Sequence, residues 1–268
     1  MTANNSSSIA ISISGLRRRF GPQQVLDGVD LQCPRGQITT IVGPSGCGKT
    51  VFLKHLTLLM RPDAGHIVID GVDVTLLRSR SLDSVREQFG VLFQGGALFD
   101  SLTVFENVAF PLVEKTRLGR SEIAAAVTDK LAAVGLDGMG HKYPSEISGG
   151  MQKRAALARA LIRNPKILYL DEPTTGLDPT RTGAIHELIR RTHEKFGLTV
   201  VMVSHDVPQV FEISDRVAFM NQGKMWLSGT VAQVMEAEDP TFERFLAGRG
   251  SDDDAEGTAT DGETETRV

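Results

Sequence analysis

The sequence predicts an α/β fold in which a parallel sheet is covered by helices on both faces. Three observations support this prediction. A glycine-rich loop at residues 43–50 lies between an apolar strand pattern and a helix pattern. Residues 167–172 and 199–205 form two more apolar segments, each with a polar end, and a helical pattern separates them. Uniformly apolar strands that alternate with helices are typical of parallel sheets buried on both faces.

The glycine-rich loop reads Gly-Pro-Ser-Gly-Cys-Gly-Lys-Thr and fits the P-loop pattern G-x-x-x-x-G-K-[ST]. Residues 37–42 predict the strand that enters it, and residues 51–59 the helix that leaves it, which disfavours a chance glycine-rich turn. The glycines let backbone N–H groups point at one anion, and the helix N-terminus adds positive charge. We therefore expect a nucleotide at Gly43, Pro44, Ser45, Gly46, Cys47, Gly48, Lys49 and Thr50, with Lys49 on the β- and γ-phosphates and Thr50 on Mg²⁺.

The segments around this loop predict two further structural regions. Residues 9–33 alternate between apolar and polar positions and predict antiparallel strands, and residues 65–71 predict another short strand. Residues 80–89 predict a short polar helix, followed by a strand end at 91–94. From residue 104 to 136 the pattern is helical, and we expect Pro111 and Gly119 to interrupt it. A helical subdomain of about residues 100–160 is the simplest interpretation.

The second half of the chain returns to alternating strands and helices. Residues 151–162 predict a helix with one apolar face and one basic face, the latter containing Lys153. Residues 185–196 predict a helix between the two apolar strands. Because ligands of parallel sheets bind at the carboxyl ends of the strands, we expect Asp171, Glu172 and His205 to converge with the P-loop in one crevice.

The two acidic residues that end the first of these strands suit phosphate chemistry. Asp171 stands where P-loop proteins place an aspartate that holds Mg²⁺. Glu172 lies one residue further and is expected to orient or deprotonate the water that attacks the γ-phosphate. The alternative is an acidic turn that caps the next helix, which the Pro-Thr-Thr-Gly sequence at 173–176 would fit.

A second group of glycines opens the helix at residues 151–162. Residues 147–152 read Ile-Ser-Gly-Gly-Met-Gln. Ser148 as an N-cap is a sufficient local explanation, but the N–H groups of Ser148, Gly149 and Gly150 also form a second anion site. Two phosphate-binding helix starts and one nucleotide per chain suggest a dimer with each nucleotide between the subunits.

Composition limits the remaining possibilities. The chain has 268 residues, of which 41% are hydrophobic, and a net charge of −4. Residues 251–268 contribute −6, so residues 1–250 carry +2, which does not favour nucleic-acid binding. Cys33 and Cys47 lack metal-ligand spacing and suggest free thiols in a reducing cytosol. No apolar run reaches the roughly 18 residues of a membrane span, and residues 1–14 lack the features of a signal peptide. We expect disordered ends at residues 1–8 and 248–268.

Taken together, these motifs resemble those of the ATP-binding-cassette (ABC) ATPases, over about residues 9–247. Residues 147–152 are similar to the family signature L-S-G-G-Q, with Met151 in place of the usual Gln. The resemblance implies ATP and Mg²⁺ as ligands and a homodimer of ATPase subunits. It implies that Phe20 stacks on adenine and that Gln94 contacts Mg²⁺ and water and couples to a membrane subunit. It also implies that Asp178 lies in a loop that contacts the other subunit and that His205 binds the γ-phosphate. The alternatives are that Phe20 belongs to the core, that Gln94 is a solvated loop residue and that His205 has a structural role.

Residues 92–112 and 239–246 resemble more narrowly the Mla-type phospholipid transporter ATPases that work with MCE-domain proteins. This resemblance implies MlaE-like permease subunits, an MCE-domain lipid-binding protein, a small STAS-like subunit and a place on the cytoplasmic face of the inner membrane. Cargo would be phospholipid moving between inner and outer membranes. Two alternatives remain open, an importer ATPase for a small polar solute and a non-transport ABC protein acting on DNA or translation. The latter is disfavoured by the charge of +2 and the lack of a long insert. A P-loop kinase would have no use for residues 148–150.

Overall fold

The computed structural model describes residues 8–248, which form two sheets and a set of helices. The strands are β1 (Ile9–Phe20), β2 (Gln23–Pro34), β3 (Ile38–Val42), β4 (Ala64–Ile69), β5 (Val72–Asp73), β6 (Phe89–Leu92), β7 (Ile167–Asp171), β8 (Thr199–Val203), β9 (Arg216–Asn221) and β10 (Lys224–Thr230). The helices are α1 (Lys49–Leu56), α2 (Ser79–Arg86), α3 (Val104–Lys115), α4 (Arg120–Ala133), α5 (Gly149–Leu161), α6 (Pro179–Phe196), α7 (Val231–Met235) and α8 (Pro240–Leu246). Apart from Ser8 and Gly248, the two ends expected to be disordered lie outside the described residues.

The larger sheet confirms the predicted α/β class. Its strand order is β10-β9-β3-β8-β7-β6, and all neighbouring pairs except β10–β9 are parallel. Every residue of β3, β7 and β8 is buried, as expected for strands covered on both faces. Ile41 pairs with Val203, which pairs with Asp171, so the carboxyl ends of these three strands lie side by side. The segments that follow them must therefore meet at one edge of the sheet.

The smaller sheet has the order β2-β1-β4-β5 and is antiparallel throughout, which confirms the predicted β-rich front section. Its apolar residues share a core with α1 and with one face of the larger sheet, where Phe52 and Tyr169 are fully buried. The other face of the larger sheet packs on the helices that follow β6 and on α6. The P-loop helix therefore lies between the two sheets, a position that requires apolar residues on much of its surface.

The helical region differs from the sequence prediction at one position. Gly119 is the N-cap of α4, so the expected interruption there is confirmed. Pro111, however, lies inside α3, and the prediction that it interrupts the helix is wrong. An interior proline removes its own N–H donor and crowds the carbonyl four residues earlier, but α3 buries Val108 and Leu112 against its neighbours on either side of this position. We infer that this packing compensates for the lost hydrogen bond.

The last part of the fold was not predicted from sequence. Strands β9 and β10 extend the larger sheet beyond β3, and the rings of Phe242 and Phe245 lie 5.1 and 5.2 Å from the ring of Phe219. Within residues 8–248, no helix is both long enough and apolar enough to cross a bilayer. The division into an ATPase region at 9–247 with a helical part at about 100–160 stays a prediction.

Candidate active site

The P-loop forms a compact turn at the carboxyl end of β3. A Cβ atom on Gly43 would lie 2.1 Å from the backbone oxygen of Met220, so only glycine fits there. Gly48 has a φ of 110°, which side chains rarely adopt, and it is the N-cap residue of α1. The buried Lys49 ammonium donates to the carbonyl oxygens of Gly43 and Pro44 at 2.7 and 2.8 Å. Loop and ammonium thus form one unit at the start of a helix, which is the geometry of an anion site.

Asp171 and Glu172 lie beside this loop at the end of β7. Asp171 is 7% exposed, and its Oδ1 atom has no hydrogen-bond partner within the described chain. Burial raises the pKa of Asp171, the Glu172 carboxylate raises it further, and Lys54 and Lys49 oppose this shift. Glu172 has a φ of 50°, and its N–H donates to the Val203 oxygen at 3.0 Å. The left-handed backbone turns the chain directly after the buried strand.

His205 follows β8 and completes this group. Its Nδ1 atom forms a short hydrogen bond with Oε2 of Glu172, and the Thr175 hydroxyl donates to the same oxygen at 3.3 Å. The His205 side chain is 54% exposed and that of Glu172 is 11% exposed. The imidazole therefore lies on the solvent side of a largely buried carboxylate.

The second glycine group and Asp178 lie next to each other. Ser148 caps α5, and its Oγ accepts from the Met151 N–H at 3.3 Å. Asp178 caps α6, and its Oδ1 accepts from the Arg181 N–H at 3.0 Å. A Cβ atom on Gly149 would lie 3.8 Å from the side chain of Leu177. Between residues 8 and 248, no hydrogen bond joins Ser148–Gly150 or Asp178 to the P-loop. The first group of predicted residues therefore consists of the P-loop with Asp171, Glu172 and His205, and the second group consists of Ser148–Gly150 with Asp178.

Phe20 and Gln94 occupy exposed positions on two separate segments of the chain. Phe20 ends β1, is 41% exposed and has the Arg18 guanidinium 4.8 Å from its ring centre. Gln94 lies in the exposed turn after β6, the strand next to β7. Arg159 of α5 donates to the oxygens of Gly96 and Ala97 at 2.7 and 2.8 Å and so ties this turn to the helix.

Sequence reasoning missed three residues around the site. The structure shows that Arg159 holds the loop after Gln94. Asp206 accepts a short hydrogen bond from the Thr174 hydroxyl and lies 3.9 Å from Nε2 of His186. Lys153 belongs to the predicted basic face of α5, yet it is only 7% exposed. Helical periodicity alone does not reveal this burial, because it depends on which other elements surround α5. Asp206 could have been identified from the sequence, since it follows the polar end of a buried strand.

The oxygen donors of the site are suitable for magnesium. Asp171 has a buried carboxylate oxygen without a partner, and Thr50 and Gln94 carry hydroxyl and amide oxygens on neighbouring segments. Mg²⁺ prefers oxygen ligands and is usually held by one or two carboxylates together with substrate phosphates. Residues 8–248 contain no group of three or more His, Cys, Asp or Glu that could hold a metal.

A P-loop beside two carboxylates and a histidine, at the carboxyl end of a parallel sheet, defines a P-loop nucleoside-triphosphate-binding protein. The chain matches the family described as ABC transporter over residues 26–175. It therefore belongs to the ABC transporter ATP-binding family, and as a member of that family it binds and hydrolyses ATP.

Two named groups are among the known proteins similar to the chain. It is 41% identical over 241 residues to the probable ribonucleotide transport ATP-binding protein Mkl of Mycobacterium tuberculosis, covering 90% of this chain and 67% of that protein. It is 43% identical over 238 residues to the intermembrane phospholipid transport system ATP-binding protein MlaF of Haemophilus influenzae, covering 89% and 90%. Among solved structures, a dimeric post-hydrolysis state of the cassette MJ0796 with ADP and Pi is 30% identical, with a TM-score of 0.75 and coverage of 82% and 98%.

Proposed function

We propose that this chain is the ATPase subunit of a transporter that moves phospholipid between inner and outer membranes. The observation that carries the ATPase part is the placement of Lys49, Asp171, Glu172 and His205 at one edge of the sheet. Support for the cargo comes from the similarity to MlaF over 89% of the chain. The resemblance of residues 92–112 and 239–246 to the same group agrees with this proposal.

Each residue of the first group has a role that follows from its position. Lys49 holds the β- and γ-phosphates, and the loop N–H groups bind the remaining phosphate oxygens. Glu172, buried and hydrogen-bonded to His205, orients the attacking water and accepts its proton. His205 lies on the solvent side, where the γ-phosphate approaches. When bound by Asp171, Thr50 and Gln94, Mg²⁺ neutralises charge on the phosphates.

The second group completes the site of another subunit in this proposal. The N-terminus of α5, with Ser148, Gly149 and Gly150, presents N–H groups and a positive dipole end to solvent. Two chains arranged head to tail would place this helix start over the nucleotide of the partner, with Asp178 and Leu177 at the contact. The dimeric state of MJ0796 supports such an arrangement. Phe20 supplies the adenine contact.

A groove next to the turn that contains Gln94 is the surface we assign to the membrane partners. The groove has a volume of about 580 Å³ and is lined by the aromatic residues Phe89, Phe93, Phe99 and Phe110, with charged residues at its edges. A helix of an MlaE-like permease fits this surface. With an MCE-domain protein and a STAS-like subunit, the complex would lie at the cytoplasmic face of the inner membrane.

The ATPase mechanism is tested by Glu172→Gln. Glutamine keeps the shape of the side chain but removes the basic oxygen, so turnover should fall at least about a hundredfold while ATP binding is retained. Steady-state phosphate release and binding of a fluorescent ATP analogue measure the two effects. Gel filtration with ATP should show more dimer in this variant. Turnover within about threefold of the wild type would contradict the role of Glu172.

A second candidate function is transport of a small polar solute, which the name of the similar protein Mkl favours. The two candidates share the whole ATPase mechanism and differ only in cargo. Reconstituting the chain with its co-purifying permease in vesicles separates them. Phospholipid transport predicts ATP-dependent transfer of a fluorescent phospholipid, whereas solute transport predicts ATP-dependent movement of a radiolabelled ribonucleotide without lipid transfer.

A further inference from the structure

Lys153 is a buried cation in α5 that the proposed ATPase mechanism does not use. Its side chain is 7% exposed, and its Nζ atom has no hydrogen-bond partner in the part of the chain that the structure describes. A buried ammonium without a partner lowers stability, because desolvation of the charge is not compensated. A buried methionine would fill the same space without this cost. The lysine is therefore not explained by packing.

Helix geometry shows where this ammonium is directed. Lys153 and Gly149 are four residues apart, so they lie on the same face of α5. Gly149 faces Leu177, since a Cβ atom added to Gly149 would lie 3.8 Å from Cδ2 of Leu177. Side chains on a helix lean toward its N-terminus, so the Lys153 side chain leans toward the loop that connects Glu172 with Leu177.

The charge of Glu172 acts on Lys153. Burial lowers the pKa of the Lys153 ammonium, and the Glu172 carboxylate raises it again. Their separation exceeds a direct ion pair, since no contact within 4.0 Å joins them. The attraction therefore acts at medium range inside the protein, where charges are screened less than in water.

We propose that Lys153 is a positioning residue that couples the N-terminus of α5 to the catalytic carboxylate Glu172 of the same chain. The ammonium attracts the Glu172 side chain, whose Oε2 also bonds to His205. In the proposed dimer, the start of α5 binds the partner's nucleotide, whereas Glu172 acts on the chain's own nucleotide. A shift of α5 on nucleotide binding at one site thus changes the position of the base at the other site. This inference rests on the proposed function of Glu172.

The first experiment compares Lys153→Met and Lys153→Arg in the full-length chain. Methionine keeps length and apolar contacts but removes the charge, so kcat should fall about tenfold or more. KM for ATP and the affinity for a fluorescent ATP analogue should stay within about twofold. Because a buried charge is removed, Tm should stay equal or rise. Arginine retains the charge and should keep kcat within about threefold of the wild type.

Lys130→Met is the matched control. Lys130 is also a buried helical lysine, but it contacts Asp129 at 3.5 Å and lies 4.5 Å from the ring centre of Phe196. Its replacement should lower Tm and leave kcat unchanged. A kcat of Lys153→Met within twofold of the wild type would overturn the proposal. So would a joint fall of kcat and Tm in both Lys153 variants, since that pattern indicates a structural role.

A double-mutant cycle on Tm keeps the two proposals separable. Without the Glu172 charge, Lys153 loses the attraction that offsets its burial, so Lys153→Met should raise Tm more in the Glu172→Gln background than in the wild type. We expect a non-additive difference of about 2 °C or more. Additive effects would refute the coupling even if Glu172 is catalytic. If Glu172→Gln retains full turnover, the catalytic role fails, but the cycle still measures the coupling.

Discussion

At the scale of single residues, the site depends on backbone positions that tolerate few alternatives. Gly43 touches the backbone of β9 so closely that a methyl group has no space. Glu172 adopts a left-handed conformation at a cost of roughly 1–2 kcal/mol. Such strain is frequent at functional sites, where the surrounding structure maintains it. Here the hydrogen bond from the Glu172 N–H to Val203 holds the strained residue in place.

The replacement Gly43→Ala tests the role of this close approach. The new Cβ would lie 2.1 Å from the Met220 oxygen, so the loop must move, and the N–H groups that bind phosphate move with it. ATP affinity should fall at least about tenfold, and stability should fall by about 2 kcal/mol or more. Gly36→Ala is the control, because Gly36 also has a positive φ of 66° but nothing lies within 4 Å of its Cβ position. Gly36→Ala should lower stability but leave ATP affinity unchanged. Normal ATP affinity in Gly43→Ala would contradict the prediction, and calorimetry measures both effects.

At the scale of elements, α5 connects most parts of the candidate site. Its N-terminus carries the second glycine group, its middle contains the buried Lys153, and Arg159 holds the loop after Gln94. The helix thus links the proposed second anion site at its N-terminus to the loop beside the groove. Ser148 stabilises the N-terminus of α5, because its side chain accepts a hydrogen bond from one N–H of the first turn.

Two substitutions at Ser148 separate the cap from the anion site. Ser148→Ala removes the hydrogen bond to the Met151 N–H and should reduce stability by about 1 kcal/mol. Ser148→Asp preserves a capping oxygen and should leave Tm nearly unchanged, but it places a negative charge where phosphate is expected. ATPase activity should then fall at least about tenfold in the Asp variant and much less in the Ala variant. Thermal unfolding and phosphate release provide the two readouts. Full activity of Ser148→Asp would mean that no phosphate approaches this helix start.

At the scale of the whole molecule, a groove on the described surface is suited to a partner helix. The rings of Phe99 and Phe110 lie 4.9 Å apart, and the two residues are 44% and 38% exposed. They line the groove of about 580 Å³ between α2, β6, α3 and α5. Exposed aromatic residues around a concave surface are typical of protein-binding sites. The groove borders the loop after Gln94, so an occupant would contact a segment next to the candidate active site.

The double substitution Phe99→Ala and Phe110→Ala should prevent association with the permease. The ATPase rate of the isolated chain should remain within about twofold of the wild-type rate, because neither residue contacts the P-loop, Asp171, Glu172 or His205. Co-purification from membranes and phosphate release measure the two effects. Tyr143→Ala is the control, since Tyr143 is 44% exposed but does not line the groove. Wild-type recovery of permease with the double variant would show that the partner binds elsewhere.

Local patterns account for what could be predicted. The P-loop, its flanking strand and helix, and the buried strands that end in Asp171 and Val203 have short-range signals, because glycine geometry and apolar runs act over a few residues. The antiparallel front section and the Ser148 cap follow from similar signals. The order of parallel strands then implies that the segments following them share one edge of the sheet.

The sequence by itself therefore determined the class of fold, the phosphate-binding loop and the residue types of the candidate site. Only the tertiary structure decided that Lys153 is buried, that His205 bonds to Glu172, and that α3 continues through Pro111. It also decided that Arg159 holds the loop after Gln94. These features depend on contacts between residues far apart in the chain. No periodicity within a single segment reports which other element covers it, and burial and electrostatics are properties of that packing.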